Sequence, residues 1–256
     1  MKSSLNIALL AAVFVVFFVV GCTKNDMVLE DSISTTVENE VTTADLNKCK
    51  IRRIYVGSEE FPYEYTGLFS YNKAGNPYSI LFTGHVRDYY FFYDSKNRLT
   101  SHIEYVYGIA YRHYYRHNTI GQIIIDSAIY PGSDLRDTSI RVSHIEYDSR
   151  GRVVKETIVN TYSNDGILEP TRRPTYTYDN RGNIGVIGWK SSSYDYKINP
   201  LRQNPIFQFI LRNYSMNNAA KQKRYNSLGL PTTLTVSNDP FFGGYLGATK
   251  IIYDCQ

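Results

Sequence analysis

Apolar and polar residues alternate along most of this chain with a period of two. From Ile103 to His117 every second residue is apolar or aromatic, and most residues between them are smaller or more polar. This spacing predicts β-strands, because neighbouring side chains of a strand point to opposite faces of a sheet. The one helical candidate is short, from Ile206 to Leu211. Similar strand-like runs recur at 51–56, 63–71, 78–93, 122–130, 140–147, 153–162, 175–178, 232–236 and 249–253.

A short motif separates these runs. An aromatic residue precedes Asp or Asn, and Gly usually follows three positions later. The Asp or Asn side chain can accept backbone N–H hydrogen bonds and Gly adopts the left-handed conformation, so the motif predicts a type I turn with a bulge. Asn97 replaces Gly in one copy and tolerates that conformation. The copies lie at 71–75, 93–97, 117–121, 147–151, 178–182 and 225–229, a looser copy with Ser163 after the tyrosine lies at 162–166, and Tyr253-Asp254 begins another.

These turns resemble the YD repeat of the RHS family, whose signature is Tyr-Asp-x-x-Gly-Arg. Residues 147–152 match the signature fully, and residues 178–182 match it up to the Gly. The chain also resembles tyrosine-rich lipoproteins of the Gram-negative envelope that share YD-like turns. Its turns are less regularly spaced than those of the RHS family. The resemblance therefore implies a fold and a location more than an activity.

Many antiparallel strands joined by short turns form a meander. Open sheets of more than about ten strands tend to curl, because strand twist accumulates. We therefore expect residues 49–256 to form one all-β domain, a long and strongly curled antiparallel meander of YD-type hairpins. A β-sandwich is the alternative.

The N-terminus predicts an exported lipoprotein. Lys2 precedes an apolar run of 14 residues, Ile7 to Val20. This run suits a signal peptide over residues 1–21 and is short for a membrane span, which needs about 20 residues. Val-Val-Gly-Cys resembles a lipobox, so Cys22 is the expected lipidation site and the anchor to the bilayer. We expect an envelope location, in the outer membrane, with the domain facing the periplasm or the exterior.

Residues 22–48 read as the lipidated cysteine followed by a flexible acidic tether. Residues 23–48 contain no aromatic residue and carry six acidic residues against two lysines. The chain has a net charge of +4, so residues 49–256 carry +7 once Lys2 and the tether are subtracted. The basic residues are scattered rather than clustered, which argues against a nucleic-acid partner.

Two cysteines remain, one at each end of the predicted domain. An exported protein can form disulfides, so we expect Cys49 and Cys255 to pair, although two free thiols are the alternative. A bond between them would make the first and last strands neighbours, which we expect only if the sheet curls back on itself.

The chain lacks the common enzyme signatures, and we expect no catalysis, metal or cofactor. His113 and His117 have the spacing of zinc ligands on a helix, but on a strand they lie about 13 Å apart. A pair of carboxylates can hydrolyse a glycan. The carboxylates outside predicted turns are Glu59, Glu60, Glu64, Glu104, Glu146 and Glu156, and no pair among them stands out.

Tyrosine is the dominant aromatic residue, with 24 Tyr against 12 Phe and one Trp. Many of these rings suit a half-buried strand face, and exposed ones can stack on sugars or partner side chains. We therefore expect a non-catalytic binding module for a glycan or a protein. The alternatives are a structural envelope component and a glycan hydrolase. The candidate ligand-binding residues are Tyr89, Tyr90, Tyr111, Tyr114, Tyr115, Trp189 and Tyr194.

Overall fold

The computed structural model describes residues 46, 49–57, 65–85, 87–131, 138–162, 170–185, 194–219, 224–233 and 248–255. This part of the chain is all-β apart from one short α-helix, α1 (Pro205–Ile210), and two 3-10 turns, Thr83–His85 and Pro200–Gln203. No helix in these ranges is long and apolar enough to cross a membrane. The strands are β1 (Cys49–Val56), β2 (Tyr65–Tyr71), β3 (Pro77–Phe82), β4 (Arg87–Tyr93), β5 (Leu99–Val106), β6 (Ile109–His117), β7 (Ile123–Pro131), β8 (Thr138–Tyr147), β9 (Val153–Tyr162), β10 (Thr177–Tyr178), β11 (Ile184–Gly185), β12 (Arg224–Tyr225), β13 (Pro231–Thr233) and β14 (Ala248–Cys255).

Twelve of these strands form one antiparallel sheet, in the order β12-β13-β14-β1-β2-β3-β4-β5-β6-β7-β8-β9. From β1 to β9 each strand pairs with the next one along the chain, which confirms the predicted meander. The remaining two described strands, β10 and β11, pair with each other. The described residues thus form one large sheet and a small ribbon, rather than the two facing sheets of a β-sandwich.

Cys49 and Cys255 lie directly opposite each other on β1 and β14 and are joined by a disulfide, with their Cα atoms 4.0 Å apart. The inference that this pairing requires a strongly curled sheet was wrong. Strand β1 is not at an edge, because β2 pairs along one side of it and β14 along the other. The last strand therefore reaches the first without closure of the sheet, and strong curl is not confirmed.

The predicted turn geometry is confirmed wherever the structure describes a complete turn. At Asp148, the N–H of Gly151 donates to the Asp148 carbonyl, and the Asp148 N–H donates to the Arg152 carbonyl. The Asp148 carboxylate accepts from the N–H groups of Arg150 and Arg152. The residue at the fourth turn position is left-handed in six copies, namely Gly75, Asn97, Gly121, Gly151, Gly182 and Gly229. The copy at 162–166 extends outside the described residues.

The hydroxyl of the tyrosine before these turns donates a hydrogen bond to a carbonyl of the preceding strand. The Tyr147 hydroxyl donates to the carbonyl of Ile123, where β7 begins, at 2.7 Å. Tyr178 likewise reaches Val153 at the start of β9, and Tyr253 reaches Pro231 at the start of β13. Burial raises the pKa of Tyr147 to about 12, so its hydroxyl stays protonated and donates. This repeated bond fixes each turn to the hairpin before it and explains why the position favours Tyr over Phe.

Tyr147→Phe should therefore lower the free energy of unfolding by about 1–2 kcal/mol, because the Ile123 carbonyl loses its hydroxyl partner in a half-buried site. Urea denaturation followed by circular dichroism measures the change. Tyr114→Phe is the matched control, since the Tyr114 ring is 47% exposed, and it should change stability by less than about 0.5 kcal/mol. Equal effects of the two substitutions would contradict a structural role for the Tyr147 hydroxyl.

One face of the sheet is covered by residues 194–219, which include α1. The Asn204 side chain caps the helix by accepting from the Ile206 N–H, and Pro205 suits its first turn. Phe207 and Phe209 then point to the sheet. The buried cluster under this segment comprises Ile51, Ile54, Phe69, Ile80, Phe82, Tyr89, Phe91, Leu99, Ile123, Ile145, Val153, Leu201, Phe207, Phe209 and Ile251. We call this side the covered face.

Candidate functional site

A buried charged cluster connects the covered face to residues 194–219. Arg212 follows α1 in a left-handed conformation, with φ of 52°. Its guanidinium lies 3.1 Å from a carboxylate oxygen of Asp126 on β7 and 3.2 Å from one of Glu156 on β9. The other Asp126 oxygen lies 2.8 Å from Nδ1 of His113 on β6. A single arginine thus bridges two strands of the sheet to the segment above them.

The electrostatics of this cluster keep the Asp126 carboxylate charged. Burial alone would raise the pKa of Asp126, but the hydrogen bond from His113 and the positive charges of His113 and Arg212 outweigh burial and lower that pKa. His102, stacked on His113 with ring centroids 4.3 Å apart, behaves differently. Burial, and then the charge of His113, hold the pKa of His102 well below 6.5, so it is neutral at physiological pH.

The two histidines with zinc-like spacing serve different local structures. His113 binds Asp126 within the charged cluster. His117 ends β6 at the position that Tyr occupies in other turns. Within the ranges that the structure describes, no group of three His, Cys, Asp or Glu side chains is arranged to hold a metal ion.

The candidate catalytic carboxylates that the structure describes each have a basic partner. Glu104 pairs with Arg87, and Glu146 pairs with Lys155. Glu156 pairs with Arg212 and accepts from the Tyr176 hydroxyl. Glu59, Glu60 and Glu64 lie outside the described residues.

The opposite side of β4–β8 carries exposed aromatic residues, and we call it the open face. It is defined by Tyr90, Phe92, Ile103, Tyr105, Arg112 and Tyr114. Strand register aligns these side chains in two rows across the sheet: Tyr90, Ile103, Arg112 and Ile129 form one row, and Phe92, Ser101, Tyr114 and Ser127 form the other. Phe92 is 45% exposed and Tyr114 is 47% exposed, which is high for large rings in the middle of a sheet.

A pocket of about 430 Å³ lies at one end of this face. Tyr90 and Tyr105 form one wall, with their rings edge to face at 5.9 Å. The predicted single strand at 78–93 is interrupted beside this pocket by the turn Thr83–His85, where Gly84 has φ of 78°. Asp88 stabilises that turn by accepting from the N–H of Phe82 and binding the His85 ring. A second pocket of about 190 Å³, which includes Arg112 and Tyr114, shares Phe92 and Ile103 with the first.

The candidate ligand-binding tyrosines divide between the two faces. Tyr90 and Tyr114 lie on the open face as expected. Tyr89, Tyr111 and Tyr115 do not, because neighbouring residues of a strand point to opposite sides. The structure places these three tyrosines on the covered face instead. Tyr89 is 3% exposed, Tyr111 packs against Tyr130, and Tyr115 hydrogen-bonds to His102 and contacts Phe209.

The remaining two candidates are Tyr194 and Trp189. The Tyr194 hydroxyl donates to the carbonyl of Ile184 within the covering part of the chain. Trp189 and Cys22 lie outside the described residues, as does the tether apart from Leu46, which is 1% exposed and packs with Cys49 and Leu230.

Sequence reasoning missed Phe92, Ile103, Tyr105 and Arg112. The signal was available, since Phe92 is two residues from Tyr90, and Arg112 is two residues from Tyr114. Extending the period of two from those tyrosines would have selected Phe92 and Arg112, whereas Ile103 and Tyr105 on β5 follow from the strand register.

Searches against protein-family models and against curated proteins found no match to this chain. The interpretation of its function therefore depends on the two faces of its sheet.

Proposed function

We propose that this chain is an exported envelope lipoprotein of the YD-repeat type, anchored through Cys22, whose domain is a non-catalytic binding module. The open face is its ligand-binding surface, and a glycan is the ligand that this surface fits best. A protein ligand is the alternative.

The observation that carries this proposal is the exposure of aromatic rings at the centre of a sheet. A face with no ligand to bind gains little from Phe92 and Tyr114 at nearly half exposure, since apolar area in water is unfavourable. Ser101 and Ser127 stand on either side of Tyr114 in the same row. This alternation of rings and hydroxyls suits a sugar, whose C–H faces can pack on rings while its hydroxyls bond to polar neighbours.

The charged cluster supports a non-catalytic role. Asp126 and Glu156 both contact Arg212, and their side chains are only 9% and 10% exposed. A glycosidase needs its two carboxylates open to the substrate. Here the two carboxylates fasten residues 194–219 to the sheet.

Binding should be lost when the open face loses its rings. Replacing Tyr90, Phe92 and Tyr114 with alanine should reduce affinity for a ligand found on a glycan array about tenfold or more, because those rings supply most of the apolar contact area. Tyr107 and Tyr196 are more exposed, at 78% and 84%, and neither lines either pocket of the open face. Their double alanine variant is the matched control and should bind as the wild type does. An unchanged affinity of the triple variant would contradict the proposal.

Cys22→Ala should abolish anchoring, because the cysteine thiol is the group that receives diacylglycerol. Radiolabelled fatty acid should label the wild type and not the variant, and the variant should accumulate as precursor. Persistent labelling of the variant would show that Cys22 is not the lipidation site.

A further inference from the structure

We propose that the open face binds an acidic polysaccharide, and that Arg112 and Arg116 contact its carboxylate or sulfate groups. This inference rests on the proposed function and names the chemical class of its ligand.

Strand β6 presents a basic and aromatic stripe on the open face. Arg112, Tyr114 and Arg116 are exposed, and the residues between them face the covered side. Four residues along a strand span about 13 Å, so the two guanidinium groups can contact separate sugar units of one extended chain. Tyr114 lies between them, where its ring can support the sugar that joins those units.

Neither arginine side chain has an ion pair or a hydrogen bond within the described residues. This distinguishes them from Arg87, Arg98, Arg152 and Arg212, each of which pairs with a carboxylate. The strand register explains why these two arginines have no carboxylate partner. Arg112 lies between Ile103 and Ile129, and Arg116 pairs with Ile125, so no acidic side chain occupies a neighbouring position.

The carboxylates described near this stripe are already neutralised or bonded. Asp88, beside the larger pocket, is 5% exposed and is bonded to the Phe82 N–H and the His85 ring. Glu146, on β8, pairs with Lys155. The stripe therefore attracts an anionic ligand, and a guanidinium group can bind a carboxylate or a sulfate through two parallel hydrogen bonds.

The shape of the site favours a polysaccharide over an acidic polypeptide. The two pockets share Phe92 and Ile103, so they adjoin on the open face, one extending to Tyr105 and the other to Arg112. Rings and serine hydroxyls alternate along the row Phe92, Ser101, Tyr114 and Ser127, which suits repeated sugar units that each have an apolar side and a hydroxylated edge. A polypeptide would instead satisfy its backbone best at a sheet edge.

Native affinity electrophoresis of the intact chain tests this inference. Gels should contain polygalacturonate, dextran sulfate, neutral dextran or poly-glutamate. At least one of the two acidic polysaccharides should retard the wild type, more strongly than neutral dextran does, and retardation should weaken as salt is added. Arg112→Gln/Arg116→Gln should lower affinity for that polysaccharide about tenfold.

A charge-matched control separates this site from the general positive charge of the domain. Arg52 and Arg150 are exposed and lie off the open face, so Arg52→Gln/Arg150→Gln removes the same charge elsewhere. This variant should bind as the wild type does. Thermal melts should show that both double variants are folded, because all four side chains are exposed.

Four results would overturn the inference. An equal loss of affinity in the two double variants would show that binding depends on net charge and not on this site. Equal retardation by poly-glutamate, unchanged by Tyr114→Ala, would identify an acidic polypeptide as the ligand. Binding of a neutral array glycan without either acidic polysaccharide would refute the acidic ligand and leave the binding module intact, whereas no ligand at all would refute both.

Discussion

Arg212→Met should lower the free energy of unfolding by about 3–5 kcal/mol, the largest effect we expect from a single substitution. The guanidinium neutralises two buried carboxylates, Asp126 and Glu156, and its loss leaves both charged in a site with little access to water. Methionine replaces much of the side-chain volume, so the effect reports on charge more than on a cavity. Urea denaturation followed by circular dichroism measures it.

Two further variants separate this explanation from a general sensitivity to substitution. Arg150→Met, at an exposed turn position, should change stability by less than about 0.5 kcal/mol. Adding Asp126→Asn and Glu156→Gln to Arg212→Met should restore part of the lost stability, because the unpaired charges are then removed. A triple variant no more stable than Arg212→Met would contradict the charge-based account.

The same cluster predicts the acid response of the variant. Because the pKa of Asp126 is lowered in the folded state, its contribution is fully present above its unfolded pKa, near 3.8, and is lost as the pH falls through the folded pKa. Without Arg212 the pKa of Asp126 rises. Arg212→Met should therefore lose less stability than the wild type as the pH falls below about 3.8, so the stability difference between the two proteins should narrow during acid titration.

Loss of the disulfide should cost about 2–5 kcal/mol, the second large effect. The bond joins cysteines 206 positions apart, so it removes many conformations from the unfolded chain. Cys49→Ala/Cys255→Ala should shift the urea midpoint to a lower concentration, and reduction of the wild type should give a similar shift. Two free thiols in the untreated protein, or an unchanged midpoint, would contradict this prediction.

The local structure was predictable from sequence because it depends on nearby residues. Asp148 and Gly151 define their turn within five residues, and Asn97 substitutes for Gly because it tolerates the same φ. The helix at Pro205–Ile210 was also predicted. The disulfide was predicted from the position of two cysteines in a chain that we expected to be exported.

The long-range structure was not predictable in the same way. Arg212 and Asp126 are 86 positions apart, and no local pattern marks them as partners. The place of β1 inside the sheet depends on β14, which joins it from the other end of the chain. The error at Tyr89, Tyr111 and Tyr115 had a different cause, since we chose residues by type before separating them by face.

Hydroxyl-radical footprinting of the intact chain, read by mass spectrometry with and without envelope glycans, most directly tests whether the open face binds the ligand. We predict that Phe92, Tyr105 and Tyr114 are oxidised in the free protein and protected when the glycans are present. Tyr107 and Tyr196 should be oxidised equally in both samples. Unchanged oxidation of the open-face rings, in a sample where binding is saturated, would contradict the account.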